Sequence, residues 1–205
     1  MEITGTIHVV DDERAIRDSL RLLLEALGFE VATYEDASGF LKVAAMLSGC
    51  VLTDVKMPGM NGLELQTWLR EHDIRLPVIV MTGQADVPLA VKTMKLGAID
   101  FLEKPFQDEQ LLDAVRRGLR QSHEVRLTAA AAAQLERRIM SLTRREREVL
   151  DLLVVGMPTK AIANQLGASP RTIEVHRARV FDKLDANSLP ELVRISFASN
   201  LKPVG

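Results

Sequence analysis

Val51-Leu52-Thr53-Asp54-Val55-Lys56-Met57-Pro58-Gly59-Met60-Asn61-Gly62 decides the fold, because an apolar run delivers one carboxylate into a loop crowded with chain breakers. The β-favouring residues before Asp54 predict the end of a buried strand, and Pro58, Gly59, Asn61 and Gly62 stop it. Asp54 is therefore expected at a strand's carboxyl end, the edge at which open α/β sheets bind ligands. An Asp there more often caps the next helix. Its meaning depends on what the other strands deliver to the same edge.

A second apolar run, Thr6-Ile7-His8-Val9-Val10-Asp11-Asp12-Glu13, also ends in acid. Carboxylates turned into one crevice repel unless a cation is present, and hard oxygen donors of this kind suit Mg²⁺. Asp12 is also placed to cap a helix starting near Glu13, and the two roles are compatible. Val78-Ile79-Val80-Met81-Thr82-Gly83 ends in a hydroxyl, and Asp100-Phe101-Leu102-Glu103-Lys104-Pro105-Phe106 ends in a Lys-Pro bond. Four runs thus finish in Asp-Asp, Asp, Thr and Lys.

Between these runs the apolar residues recur at helical spacing. Helices are predicted over 13–27, 37–47, 61–71 and 86–96, and strands end near residues 12, 34, 54, 82 and 103. Five strand–helix repeats with short links require right-handed crossovers and a parallel sheet. From Asp108 the pattern reads as one helix running into Arg126-Leu127-Thr128, five alanines and Gln134-Leu135-Glu136-Arg137-Arg138, all of high helix propensity. This stretch is either a helical linker or a flexible tether, with Gly118 and Ser122-His123 the expected points of bending. Leu119, Val125, Leu127, Leu135 and Ile139 are candidates for a seam against another copy or a second domain.

A chain of 205 residues is long for one small domain and comfortable for two. Its single cysteine, Cys50, heads an apolar strand and is expected to be a small buried residue in a reduced, cytoplasmic setting. No leader-like segment and no run of the ~20 apolar residues needed for a membrane span is read. The net charge of −2 is uneven: residues 1–123 hold 13 Lys+Arg against 19 Asp+Glu, whereas 124–205 hold 13 against 9. An acidic half suits a cation, and a basic half suits a polyanion.

The basic half opens at Leu142-Thr143-Arg144-Arg145-Glu146-Arg147-Glu148-Val149-Leu150, where Thr143 and Glu146 form a capping box. A short helix in Pro158–Gly167 precedes a third, for which Ser169 is the cap and Pro170 the first residue. Two helices joined by a tight glycine-bearing turn make a helix-turn-helix. Ile173, Val180, Phe181 and Leu184 share the third helix's apolar face, which leaves a basic outer face. Such a face alone is more often a solvated surface than a nucleic-acid site.

Asp11-Asp12, Asp54 with Lys56 to Gly62, Thr82-Gly83, Phe101 and Lys104-Pro105 resemble, in order and spacing, the receiver domain of two-component response regulators. The opening at Leu142–Leu150 and the Ser169–Ala178 run resemble the DNA-binding domain of the LuxR/NarL/FixJ class. That run and Thr82-Gly83-Gln84-Ala85-Asp86-Val87-Pro88 look like its FixJ branch. The resemblance implies a flavodoxin-like sheet of order 2-1-3-4-5 in a receiver of residues 1–122. A helical linker (123–140) and a four-helix helix-turn-helix domain (141–205) would follow. It implies Asp54 as phosphoacceptor for a FixL-like sensor histidine kinase. Asp12, Asp54 and the Lys56 carbonyl would hold Mg²⁺ with support from Asp11, Thr82 and Lys104 would bind phosphoryl oxygens, and Thr82 and Phe101 would act as switch residues. Lys160, Ser169, Arg171, Thr172, Glu174, Val175, His176, Arg177, Arg179 and Lys183 are the DNA candidates, with Lys183 expected mainly to neutralise phosphate. Thr159 departs from the Asn common in the family. A phosphorylation-dependent homodimer, promoter DNA of nitrogen-fixation genes under low oxygen, and RNA polymerase complete the implied partners of an activator. The alternative from another class is a Mg²⁺-dependent phosphohydrolase with an aspartyl-phosphate intermediate. Such enzymes usually carry a carboxylate two residues after the nucleophile, where this chain has Lys56.

Overall fold

The computed structural model describes residues 5–84 and 86–198. Ala85 and the outermost ends of the expected domains lie outside that range. Five strands form one parallel sheet: β1 (Thr6–Val10), β2 (Glu30–Tyr34), β3 (Gly49–Asp54), β4 (Val78–Thr82) and β5 (Asp100–Glu103), in the order β2-β1-β3-β4-β5. The crossovers carry α1 (Arg14–Ala26), α2 (Ala37–Leu41), α3 (Gly62–Glu71) and α4 (Val87–Lys95), and α5 (Asp108–Met140) follows β5. β3 is the centre of the sheet and buried at every residue, as expected of a parallel strand covered on both faces. One face packs Ile7, Val9, Leu52, Ile79 and Met81 against Leu20, Leu24, Leu111, Val115 and Leu119. The other packs Val10, Val51 and Val80 against Phe40, Leu65 and Leu69.

Local chemistry explains both the agreements and the departures. Asn61 caps α3 by accepting from Leu63 and Glu64 amides, and Glu64 returns a bond to Asn61 N, which completes a capping box. Gly62 lets α3 start against the central strand, since a Cβ there would come 2.2 Å from the Asp54 carbonyl oxygen. Asp12 does not cap α1. The N-cap is Glu13, whose amide donates to Asp11 Oδ1 at 2.9 Å. The helix expected over 37–47 is shorter, ending at Leu41 before a single 3-10 turn, Ala44–Met46. Ser38 and Gly39 are weak helix formers and Val43 is β-branched, so little propensity sustains it.

α5 is one helix of 33 residues. Helical structure runs on through Gly118 and Ser122, and both residues fit the helix to the sheet. A Cβ at Gly118 would lie 2.9 Å from Cys50 Cβ, and overpacking of ~1–3 kcal/mol outweighs the ~1 kcal/mol of helix propensity an alanine would add. Ser122 Oγ accepts from Gly49 N at 3.1 Å. Cys50 is buried as expected, and burial pushes its thiol up to about 12.

The chain separates into two compact units, Met1–Leu127 and Thr128–Gly205, with the boundary inside α5. The second unit is all-helical: the last turns of α5, α6 (Arg144–Val154), α7 (Thr159–Gln165), α8 (Pro170–Leu184) and α9 (Leu189–Ala198). Its core gathers Ile139, Val149, Leu150, Ile162, Ile173, Val180, Leu184 and Leu192. Leu119 and Ile139 are therefore core residues of separate units, whereas Leu127 is exposed. Among the described residues no helix is long and apolar enough to cross a membrane.

Candidate functional site

The carboxyl edge of the sheet brings the four strand ends together. Lys104, just past β5, donates to Asp11 Oδ2 at 2.8 Å and to Asp54 Oδ1 at 2.6 Å. The other Asp54 oxygen accepts from the Lys56 amide at 2.6 Å. Side-chain exposure is 1% for Asp11, 10% for Asp54 and 18% for Lys104, so the cluster is largely dry but open at Asp54 and Lys104. Burial by itself would lower the Lys104 pKa; hydrogen bonds to Asp11 and Asp54, together with their charges, outweigh it and raise the pKa above its ordinary value. Two carboxylates thus share one ammonium, and the cluster keeps a negative excess.

Thr82 is buried beside this group, its hydroxyl donating to Gln84 O and accepting from Gln84 N, both at 3.2 Å. Phe101 is half-buried against the cluster that contains Val80. Asp12 is exposed, next to Asp11. Among the described residues no three His, Cys, Asp or Glu side chains form a ready metal cage. Mg²⁺ takes one or two carboxylates and keeps its waters. An excess of buried acid beside an exposed Asp12 is a donor set that fits such an ion.

Two contributors had been assigned no role. Arg17 Nη1 donates to the main-chain oxygens of Asp11 (2.7 Å) and Asp12 (2.9 Å), holding the acid loop from α1. A cation in a helix's first turns opposes the helix dipole, and that misplacement was the one available signal. Gln84 ties to Thr82 and accepts from the Lys56 ammonium, a pairing with no sequence signature.

In the second unit α8 begins as expected. Ser169 Oγ accepts from Thr172 N at 3.1 Å, and Pro170 is the first helical residue. Arg171, Thr172, Glu174, Val175 and Arg179 are exposed along α8, as are Ser169 at its cap and Lys160 on α7. His176 and Arg177 are partly withdrawn: His176 Nδ1 is buried without a hydrogen-bond partner among the described residues, and Arg177 lies 5.7 Å from the Phe181 ring centroid. Thr159 Oγ1 donates to Glu174 Oε1 at 2.7 Å.

Lys183 departs from its expected role. Its ammonium donates to Glu146 Oε2 at 2.6 Å and to Ser141 O at 2.9 Å, so its charge is used inside the unit, bolting α8 to the start of α6. Burial would raise the Glu146 pKa, but Lys183 and the amide and hydroxyl of Thr143 outweigh it and hold the carboxyl at about 2. Lys183 lies one turn beyond Val180 and borders Leu184, which carries it toward the core side of α8.

The sequence matches the family described as response regulator receiver domain over residues 7–116 and that described as bacterial regulatory proteins, luxR family, over 140–196. Curated relatives include transcriptional regulatory protein FixJ of Bradyrhizobium diazoefficiens, 46% identical over 202 residues and covering 98% of each chain. FixJ of Azorhizobium caulinodans is 49% identical over 198 residues, covering 96% of this chain and 94% of that protein. Among solved structures, response regulator StyR aligns with a TM-score of 0.85 at 41% identity, covering 95% of this chain and 99% of that one. Full-length FixJ from B. japonicum aligns with a TM-score of 0.57 at 45% identity, covering 97% and 98%. None of these matches supports the phosphohydrolase alternative, and Lys56 stands where that chemistry would want an acid. Relatives of nearly equal length match both halves in the same order, and the chain belongs to the FixJ-like response regulator transcription factors, which join a receiver to a LuxR-type DNA-binding domain.

Proposed function

We propose that Asp54 is the phosphoacceptor, and the observation that carries this reading is the single Lys104 ammonium shared by Asp11 and Asp54 at an edge open to solvent. An Asp54 carboxylate oxygen attacks the phosphorus of a phosphohistidine on a sensor kinase, FixL-like by resemblance. The new O–P bond forms as the P–N bond breaks, and the imidazole leaves with the electron pair. Lys104 already touches Asp54 and needs little motion to follow the charge onto the incoming phosphoryl oxygens. Thr82 gives up a long bond to Gln84 to donate to the same group, and Phe101 turns into the space it leaves. Receiver domains use Mg²⁺ for this reaction. Here Asp12, Asp54 and the Lys56 carbonyl would hold it, supported by Asp11, and the ion when bound offsets the charge gathering on the transferred oxygens. Water later removes the phosphoryl group slowly, as a timer, so the protein is not an enzyme in the turnover sense.

The output is promoter binding through α8 by a phosphorylated homodimer that engages RNA polymerase and activates transcription. By resemblance its targets are nitrogen-fixation genes under low oxygen, and its setting is the cytoplasm. Val87, Val91 and Met94 form an exposed apolar stripe at i, i+4 and i+7 on α4 and support pairing through this helix and β5. Treating the chain with acetyl phosphate and Mg²⁺ should produce a dimer by light scattering and raise its DNA affinity. A chain that stays monomeric while stably phosphorylated would overturn the dimer, and one that takes up no phosphoryl group would overturn the acceptor.

A further inference from the structure

A carboxylate on a surface that must meet a polyanion needs a reason to be there. Glu174 is 56% exposed on α8, among arginines that suit phosphate, and two neighbours hold it. Thr159 reaches across from α7 to donate to Oε1 at 2.7 Å, and Arg177 Nη1 stands 4.0 Å from the same oxygen. Arg177 is in turn steadied over the Phe181 ring. The second oxygen, Oε2, has no hydrogen bond among the described residues. The side chain is thus pinned by one oxygen, with part of its charge offset and the other oxygen free.

Resting on the reading of α8 as the DNA-reading helix, we propose that Glu174 is a base-selecting residue which specifies cytosine in the major groove, and that Thr159 is its positioning residue. An ionised carboxylate can only accept. Guanine offers it N7 and O6 and thymine O4, all acceptors, so these bases are rejected. Adenine offers the N6 donor beside the N7 acceptor, and cytosine offers only its N4 amino group. One free oxygen next to an occupied one gains the single cytosine contact without facing a lone pair, whereas at adenine the neighbouring N7 repels the carboxylate. Thr159 spends its one hydroxyl proton on Oε1 and so leaves Oε2 as the reading atom.

Selection from random duplexes by the full-length chain, treated with acetyl phosphate and Mg²⁺, tests this. The wild type should fix cytosine at one position per half-site, with discrimination of about tenfold or more there. Glu174→Gln should move the preference at that position to adenine, which Gln reads through N6 and N7. Thr159→Val should relax the same position and no other, and Thr159→Ser should restore it. If Glu174→Gln selects the wild-type sequence at every position, the base-selecting role is wrong. If Thr159→Val keeps full discrimination, the positioning role is wrong. A merely structural latch would lower affinity for all sequences alike, which also overturns the proposal. Failure of the wild type to enrich any sequence would overturn the DNA-reading assignment of α8 itself.

Discussion

Each unit buries a lysine against carboxylate, yet the two clusters do opposite things. In the receiver, Lys104 is divided between Asp11 and Asp54, and the unmatched negative charge lies at an opening. In the DNA-binding unit, Lys183 meets Glu146 one to one, and Thr143 completes the carboxylate's bonds within a capping box. The first arrangement leaves charge for a further cation and suits the proposed nucleophilic role; the second is satisfied and holds helices together. Burial of an ion pair is therefore not the mark of a working site. What marks it is a stoichiometry left incomplete.

The largest contrast should come from removing one carboxylate on each side. Asp54→Asn should abolish acid-labile phosphoryl incorporation from acetyl phosphate while the melting temperature holds or rises, because Lys104 keeps Asp11 and a repulsion is relieved. A variant that still labels like the wild type would remove Asp54 from the chemistry. Glu146→Gln should leave labelling untouched and destabilise the second unit. Losing one member of a buried pair costs ~3–5 kcal/mol, and Lys183 at 32% exposure reduces that to about 2–3 kcal/mol. Urea denaturation followed by circular dichroism reads it, and an unchanged midpoint would show that the pair holds nothing.

The acid response sharpens the same point. Glu146 titrates at about 2 in the fold against an ordinary 4.5. Its contribution is therefore present above pH ~4.5 and is lost as pH falls toward ~2, since the unfolded chain binds the proton first. Urea midpoints measured through that window should fall for the wild type and flatten in Glu146→Gln. Equal slopes would place the acid sensitivity elsewhere.

The smallest effect separates outer from inner cations on α8. Arg179→Ala should reduce the slope of log affinity against log salt by about 1. Lys183→Ala should leave that slope nearly unchanged and instead lower stability, because its charge faces Glu146. Equal slope changes in the two variants would return Lys183 to the phosphate face.

Most of the architecture was legible because strand ends and helix starts announce themselves locally. Asp54 before Pro58-Gly59, the helix start at Asn61, the Thr143–Glu146 capping box and the Ser169-Pro170 start all fold as read. What was not legible depends on partners distant in sequence. Gly118 looked like a weak point until Cys50 arrived beside it, and Ser122 until Gly49 did. Lys183 looked like a surface cation because helical periodicity shows which side of α8 it borders, not that Glu146, 37 residues away, would claim its ammonium. The Thr82–Gln84 and Arg17 contacts are made to main-chain atoms, which no residue pattern encodes.

That last grip has an evolutionary reading. Arg17 holds the acid loop by its carbonyl oxygens, which every amino acid supplies, so the shape of the loop is not the business of the side chain at position 12. Asp12 can be exchanged by mutation with little penalty to folding, and on the proposed reading what is altered is ion affinity and reaction speed. Scaffold and chemistry are inherited separately at this turn, which leaves a lineage free to retune the second without risking the first.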